Sequence, residues 1–299
     1  MNYALHLSVF LSIYGIVALS LNLITGYCGL LTMAHASYFA VGCYTYALLT
    51  AKCGWEFLPA AGMAFALACS MSLFISLPAW RFKGDSFVLI TLAVQQMLFS
   101  LIQNWASPSA EPGTWANLTN GTFGLSSIPK PTIFGFIFSD LRAMALLALI
   151  VFFLCMLVFK IFCASPWARL LKAMRDDELA ARGLGKNVRL AKIQAVGISC
   201  GLAAVAGTIY ASYVNYIDPG VASLDESMLV LCMVLVGGIG NFKGPLVGAF
   251  MLIAIPEILR CMSMPDAIAS NMRLIFYSCL LIGLMHFRPQ GLAGVYRVS

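Results

Sequence analysis

Residues 141–163 read LRAMALLALIVFFLCMLVFKIFC, and residues 164–192 continue at once as ASPWARLLKAMRDDELAARGLGKNVRLAK. The first stretch is long and apolar enough to cross a bilayer, which takes ~20 residues for a ~30 Å hydrocarbon core. Residues 160–192 hold eight of the chain's eighteen basic residues: Lys160, Arg169, Lys172, Arg175, Arg182, Lys186, Arg189 and Lys192. Positive charge concentrates on the cytoplasmic side of membrane proteins. An apolar span running into a basic loop therefore predicts a membrane protein with residues 165–190 in the cytoplasm.

The same pattern extends outward in both directions. Apolar segments are predicted at 4–25, 34–51, 58–79, 86–105, 141–163, 191–212, 227–240, 245–259 and 271–287, about nine spans in all. The whole chain of 299 residues is 61% hydrophobic and 10% charged, against roughly 25% charged in a soluble domain. This excludes a water-soluble domain of this size and predicts one membrane domain over 1–299. The expected fold class is an all-α polytopic bundle of about eight to ten spans. The segment 4–25 has no Lys or Arg before it and leads straight into another apolar segment. It is expected to be the first span and not a cleaved leader.

The other basic stretches agree on orientation. Arg81 to Asp85, Lys243 and the tail with Arg288 and Arg297 fall on the cytoplasmic side, and the connection 106–140 falls outside. Nine spans put the N-terminus outside. The net charge of +6 follows from this bias; it suits anionic lipids and calls for no nucleic acid. Of the ten cysteines, Cys28, Cys43, Cys69, Cys155, Cys200, Cys232 and Cys279 lie in apolar runs, and no Cys-x-x-Cys pair occurs. Neither a structural disulfide nor a metal site is expected.

Within the basic loop, Ser165 followed by Pro166 is a helix start, with Leu170, Leu171 and Met174 at helical spacing. Asp176 or Asp177 can cap a second short helix, which Gly183 and Gly185 end. Small residues at Ala180, Ala181 and Gly183 let another protein approach closely. A solvated loop that only fixes topology is the alternative.

This loop resembles the coupling loop of ABC importer permeases, Glu-Ala-Ala, three residues, Gly. Ala180, Ala181 and Gly185 fit the spacing, while Glu178 sits one place early and Leu179 occupies the usual Glu position. Branched-chain amino-acid permeases of the LivM type are similar over nearly the whole chain. The similar pieces run from Asn22 to Gly29, His35 to Thr45, Arg81 to Phe87, Thr119 to Leu125, Val236 to Pro245 and Phe287 to Leu292.

The resemblance implies a type II importer-like permease in a bacterial inner membrane. It implies a second related permease, forming a heterodimer with this one, two ATPase subunits on the cytoplasmic loops and an external substrate-binding protein. Arg175, Glu178, Ala180, Ala181 and Gly185 become the expected ATPase contact. The chain has no Gly-x-x-x-x-Gly-Lys-[Ser/Thr]: Asn187 follows its only Gly-Lys pair, Gly185-Lys186. ATP is therefore expected to be bound by the partners, with no catalysis and no cofactor on this chain.

Candidate pathway residues are His35, Gln95, Gln96 and the break at Gly237, Gly238 and Gly240. Glycine-interrupted segments are tolerated where they line a cavity or are buried in protein. Each has a structural alternative: a buried hydrogen-bonded histidine, interhelical amide bonds with Asn104, and close helix packing through glycine. Glu257 is expected near a helix end. Asp218, Asp225 and Glu226 are expected in an external loop, either solvated or touching a binding protein. Urea or a short amide is the alternative substrate. A stand-alone secondary transporter would need charges at span centres, where this chain has almost none, and a membrane enzyme would need clustered catalytic groups.

Overall fold

The computed structural model describes residues 2–76, 82, 84–107, 113–114 and 116–261, and then 275, 278–279, 282–283 and 291–292. The basic turn at Arg81 and Lys83, the side chain of Glu257, most of the span 271–287 and the tail with Arg288 and Arg297 lie outside the described residues.

Five helices in the described residues are long and apolar enough to cross a membrane. They are α1 (Asn2–Asn22), which continues into a π-helical turn (Leu23–Tyr27), α3 (Phe57–Met71) with α4 (Leu73–Ser76), α5 (Asp85–Asn104), α6 (Leu141–Ala164) and α9 (Val188–Val214). Helix α2 (His35–Cys53) is more polar, with His35, Ser37 and several Tyr and Thr, yet most of it is enclosed: Tyr38, Ala40, Cys43 and Tyr46 are fully buried. Its polarity makes it a weak span by composition and suits a helix with few lipid-facing residues. Helices α10 (Leu224–Gly237) and α11 (Gly244–Cys261) follow α9, and the short α7 (Pro166–Asp176) and α8 (Glu178–Gly183) lie between α6 and α9.

The core is built on α2 and α9, which approach at backbone distance. A Cβ on Gly42 would collide with the Ala204 carbonyl, and one on Gly207 with that of Phe39. Small residues permit such contact where lipid provides no hydrophobic drive between helices. Helix α6 shows the opposite pattern. Leu146, Ile150, Phe153, Leu154, Leu157 and Ile161 are all more than half exposed and form one outward apolar stripe, as a lipid-facing surface requires.

The bundle has two distinct ends. At one, α7 and α8 lie beside the start of α9 and the π turn. At the other, β1 (Leu125–Ser126) pairs antiparallel with β4 (Tyr216–Ile217) just past α9, and β2 (Thr132–Ile133) pairs with β3 (Phe136–Ile137). The 27 residues of α9 span ~40 Å at 1.5 Å each, which separates these ends by a bilayer thickness.

Candidate functional site

The basic loop folds into an elbow of two helices. Ser165 caps α7, its side chain accepting from the Ala168 N–H at 3.3 Å, with Pro166 at the first helical position. Asp177 caps α8, accepting from the N–H groups of Leu179 and Ala180 at 2.9 and 3.0 Å. Gly185 ends the elbow with φ +73°, a left-handed conformation that favours glycine. Asn187 then caps α9, accepting from Leu190 N–H at 3.1 Å.

The five residues expected at the ATPase contact divide by direction. Ala180 and Gly185 face outward. Ala181 is 4% exposed and packs into the chain's own core. Glu178 also turns inward. Its carboxylate bonds Arg182 at 2.5 Å and the buried Lys192 of α9 at 3.1 Å, so it anchors α8 to α9. Arg175 points deeper: its guanidinium donates to the Gly26 carbonyl of the π turn and borders Gly29 and Gly240. The outward apolar surface comes from residues the loop motif does not single out, Leu179 at 73% and Leu184 at 79% exposure. A helical wheel holding Ala181 inward would have placed Leu179 outward, a signal available once the inward face is known.

Arg175 ends on a knot of broken backbone. Asn22 donates from Nδ2 to the Asn241 carbonyl at 2.9 Å, and its Oδ1 accepts from Gly240 N–H at 3.0 Å. Gly240 has φ +78°. The break between α10 and α11 is thereby tied to the end of α1, and both to the elbow. Gly237 and Gly238 are buried, and a Cβ on Gly237 would fall on the Gly244 carbonyl. Close packing with α11 occupies that side of the segment.

The other expected pathway residues also separate. His35 is 1% exposed and meets Ser20 Oγ through Nε2 at 2.8 Å, while its Nδ1 has no hydrogen-bond partner among the described residues. Gln95 is buried and Gln96 is exposed on the outer side of α5, so these two neighbours do not share a path. Asn104 bonds within its own helix, to the Ser100 carbonyl at 2.8 Å.

Gln95 reveals an element that the hydropathy pattern hid. Its Oε1 accepts from Ser37 N–H at 3.2 Å and Ser37 Oγ at 2.5 Å; its Nε2 donates to the carbonyls of Ala222 and Ser223 at 2.6 and 3.2 Å. Gln95 sits midway along α5, so the 3-10 turn Pro219–Ala222 dips to mid-bundle depth. Ala36 N–H donates to Ser227 Oγ at 3.1 Å, placing the start of α10 beside the start of α2. The 14 residues of α10 cover ~21 Å, about two-thirds of a ~30 Å core. The expected external loop at 213–226 is therefore corrected to a re-entrant one. Val221 and Ala222 are buried, and Glu226 is bonded to Tyr14 Oη at 3.3 Å, while Asp225 is exposed. Hydropathy missed the dip because a segment that turns back has no apolar run of its own. Among the described residues, no three His, Cys, Asp or Glu side chains are grouped to hold a metal ion.

Comparison with known proteins places this architecture. The family model described as branched-chain amino acid transport system / permease component matches residues 3–285. The high-affinity branched-chain amino acid transport permease LivM of Escherichia coli is 29% identical, over 95% of this chain and 68% of its own. The probable LivM permease of Methanocaldococcus jannaschii is 25% identical, over 94% and 90%. The LivH permease of E. coli is also 25% identical, over 95% and 92%. No solved structure matches. The chain thus belongs to the permease-component family of branched-chain amino acid transport systems.

Proposed function

We propose that this chain carries branched-chain amino acids across the bacterial inner membrane as one of two related permeases in an ATP-driven importer. The elbow carries this reading. It is the part of the basic end that presents exposed leucines on a short, doubly capped helix. Exposed large apolar side chains rimmed by charge mark protein contacts. Leu179 and Leu184 enter a groove on an ATPase subunit, Ala180 and Gly183 let it approach, and Arg182 and Lys186 lie on the charged rim.

Motion of that contact has a route into the membrane. Arg175 bonds the Gly26 carbonyl, and Asn22 bonds both sides of the Gly240 break. Displacing the elbow therefore pulls on the ends of α1 and α10 together. ATP binding by the partners favours one arrangement and hydrolysis releases it, a shift limited by the differential binding free energy of the two states. The likeness to both LivM and LivH fits a pair of homologous permeases, and an external binding protein delivers the substrate.

The test is uptake in cells that lack this chain and in the same cells complemented with it. Low-concentration leucine uptake that disappears with the chain and returns with it is the expected result. Chain-dependent uptake of urea without leucine would replace the substrate. Leucine uptake that persists when ATP is depleted and a proton gradient is kept would overturn the ATP-driven assignment.

A further inference from the structure

The end of the bundle opposite the elbow carries a small hairpin with an apolar outer face. Strands β2 and β3 pair Ile133 with Phe136 and leave Phe134 and Gly135 as the turn. Ile133 and Phe138 pack on the core, which fixes the inner face. The outer face is Phe134, Phe136 and Ile137, at 85%, 79% and 65% exposure. No charged residue occurs in 131–139.

The tip departs from what a water-facing turn would use. Both turn residues have positive φ, +49° at Phe134 and +78° at Gly135. Turns of this kind favour Asn, Asp or Gly at their central positions, and a bulky residue there is strained. Phe134 thus gives up turn stability and places a large ring in the open at the same time. Strain held at an exposed position points to a role outside the fold itself.

The height of the tip decides what that role is. Phe134 N–H donates to the Glu56 carboxylate at 3.2 Å, and Glu56 is the residue before α3 begins. Trp55 beside it is also exposed. Leu58 then opens an outward apolar side of α3 that continues through Met63 and Leu67. The two residues from Glu56 to Leu58 rise ~3 Å, so the tip lies level with the start of a lipid-facing stripe. The other strand leads within a few residues to Leu141, the start of α6, whose outward stripe begins at Leu146. The exposed rings therefore continue two lipid-facing surfaces at the membrane boundary, the level where aromatic side chains gather. The outer face is apolar up to its tip, without the polar rim of a protein-docking patch.

We propose that this hairpin is an interfacial anchor, with Phe134, Phe136 and Ile137 entering the boundary between headgroups and acyl chains in the leaflet opposite the elbow. Lipid is the partner. Burying three apolar side chains there offsets the strain at Phe134. Through Glu56 and the short link to Leu141, the anchor sets the depth of α3 and α6 in the bilayer.

Photo-crosslinking of the assembled importer in native membranes tests this. The variants are Phe136→benzoylphenylalanine and Ile137→benzoylphenylalanine, each an apolar exchange at an exposed position. Leu154→benzoylphenylalanine, on the outward stripe of α6, supplies the lipid reference. Irradiation should yield phospholipid adducts at both hairpin positions within about threefold of the Leu154 yield, and no crosslinked protein. A crosslinked binding protein or second permease at either position would overturn the proposal. Missing lipid adducts at either position, with Leu154 reacting, would overturn it equally, because the tip would then stand in water.

Discussion

The elbow at 165–187 and the re-entrant turn at 218–226 are both departures from simple spanning helices, and they are built in opposite ways. The elbow takes its shape from local chemistry, with caps at Ser165, Asp177 and Asn187, a glycine stop at Gly185 and an ion pair from Glu178 to Lys192, while Arg175 and Ala181 dock it on the bundle. The turn is held by partners far along the chain, chiefly Gln95 of α5, itself bonded by Ser37 of α2, and Tyr14 of α1. One buries Leu171 and Met174 but leaves Leu179 and Leu184 exposed; the other buries Val221 and Ala222 and turns carboxylates into a cavity. A docking element has to hold its shape in water before its partner arrives. A re-entrant element has to keep its shape inside the bundle, where unpaired backbone groups are costly.

The largest effect that separates the two regions should come from Leu179→Glu combined with Leu184→Glu. Both side chains are exposed in this chain, so folding and insertion should be unchanged. Interface anchors commonly contribute 2 kcal/mol or more each, and ~1.4 kcal/mol is a factor of ten in affinity. ATPase recovered with the purified permease should fall at least a hundredfold, and uptake with it. Full ATPase recovery would place the docking surface elsewhere.

Gln95→Leu applies the reverse test. It removes the amide that joins Ser37 to the Ala222 and Ser223 carbonyls. Leaving buried polar groups unpaired costs about 1–3 kcal/mol, and here the released backbone belongs to the re-entrant turn and the cap of α10. Leucine uptake should fall about tenfold while ATPase recovery stays at the wild-type level. Gln96→Leu, one residue on and facing out of the chain, should leave this turn intact. Equal losses in the two variants would mean that α5 acts through its outer surface instead.

The contrast also explains what could be read from sequence. The elbow was legible because its determinants are local: a cap, a proline, charges and a glycine occupy consecutive positions, and the structure forms both expected helices. What the local pattern could not give was direction, since whether Ala181 or Leu179 faces inward depends on α9. The membrane class, five of the expected apolar spans and the break at Gly237–Gly240 were legible for the same reason. The turn was not, because Gln95 lies 127 positions before Ala222 in the chain and no periodicity links them. The importance of α2 was understated for a related reason. Hydropathy measures fitness for lipid, and this helix is enclosed mainly by protein.

The smallest effect should come from the α8 cap. Asp177→Ala removes one carboxylate oxygen that accepts from two N–H groups, those of Leu179 and Ala180. Both groups lie at an exposed position, so water can replace the lost acceptor in part, and N-cap losses of this kind cost about 1 kcal/mol. The helix has only six residues, too short to persist without its cap or its packing. Ala181 and the Glu178–Lys192 pair remain to hold it against α9. The expected result is a loosened α8 still in place: proteolysis near Arg182 and Lys186 should quicken, and ATPase affinity should drop about fivefold. Restoring an acceptor with Asp177→Ser should recover most of both. A loss as large as that of the double leucine variant would mean that Asp177 touches the ATPase directly. An unchanged protease pattern would mean that packing on α9 alone defines the elbow, leaving local capping with no part in the difference between the two regions.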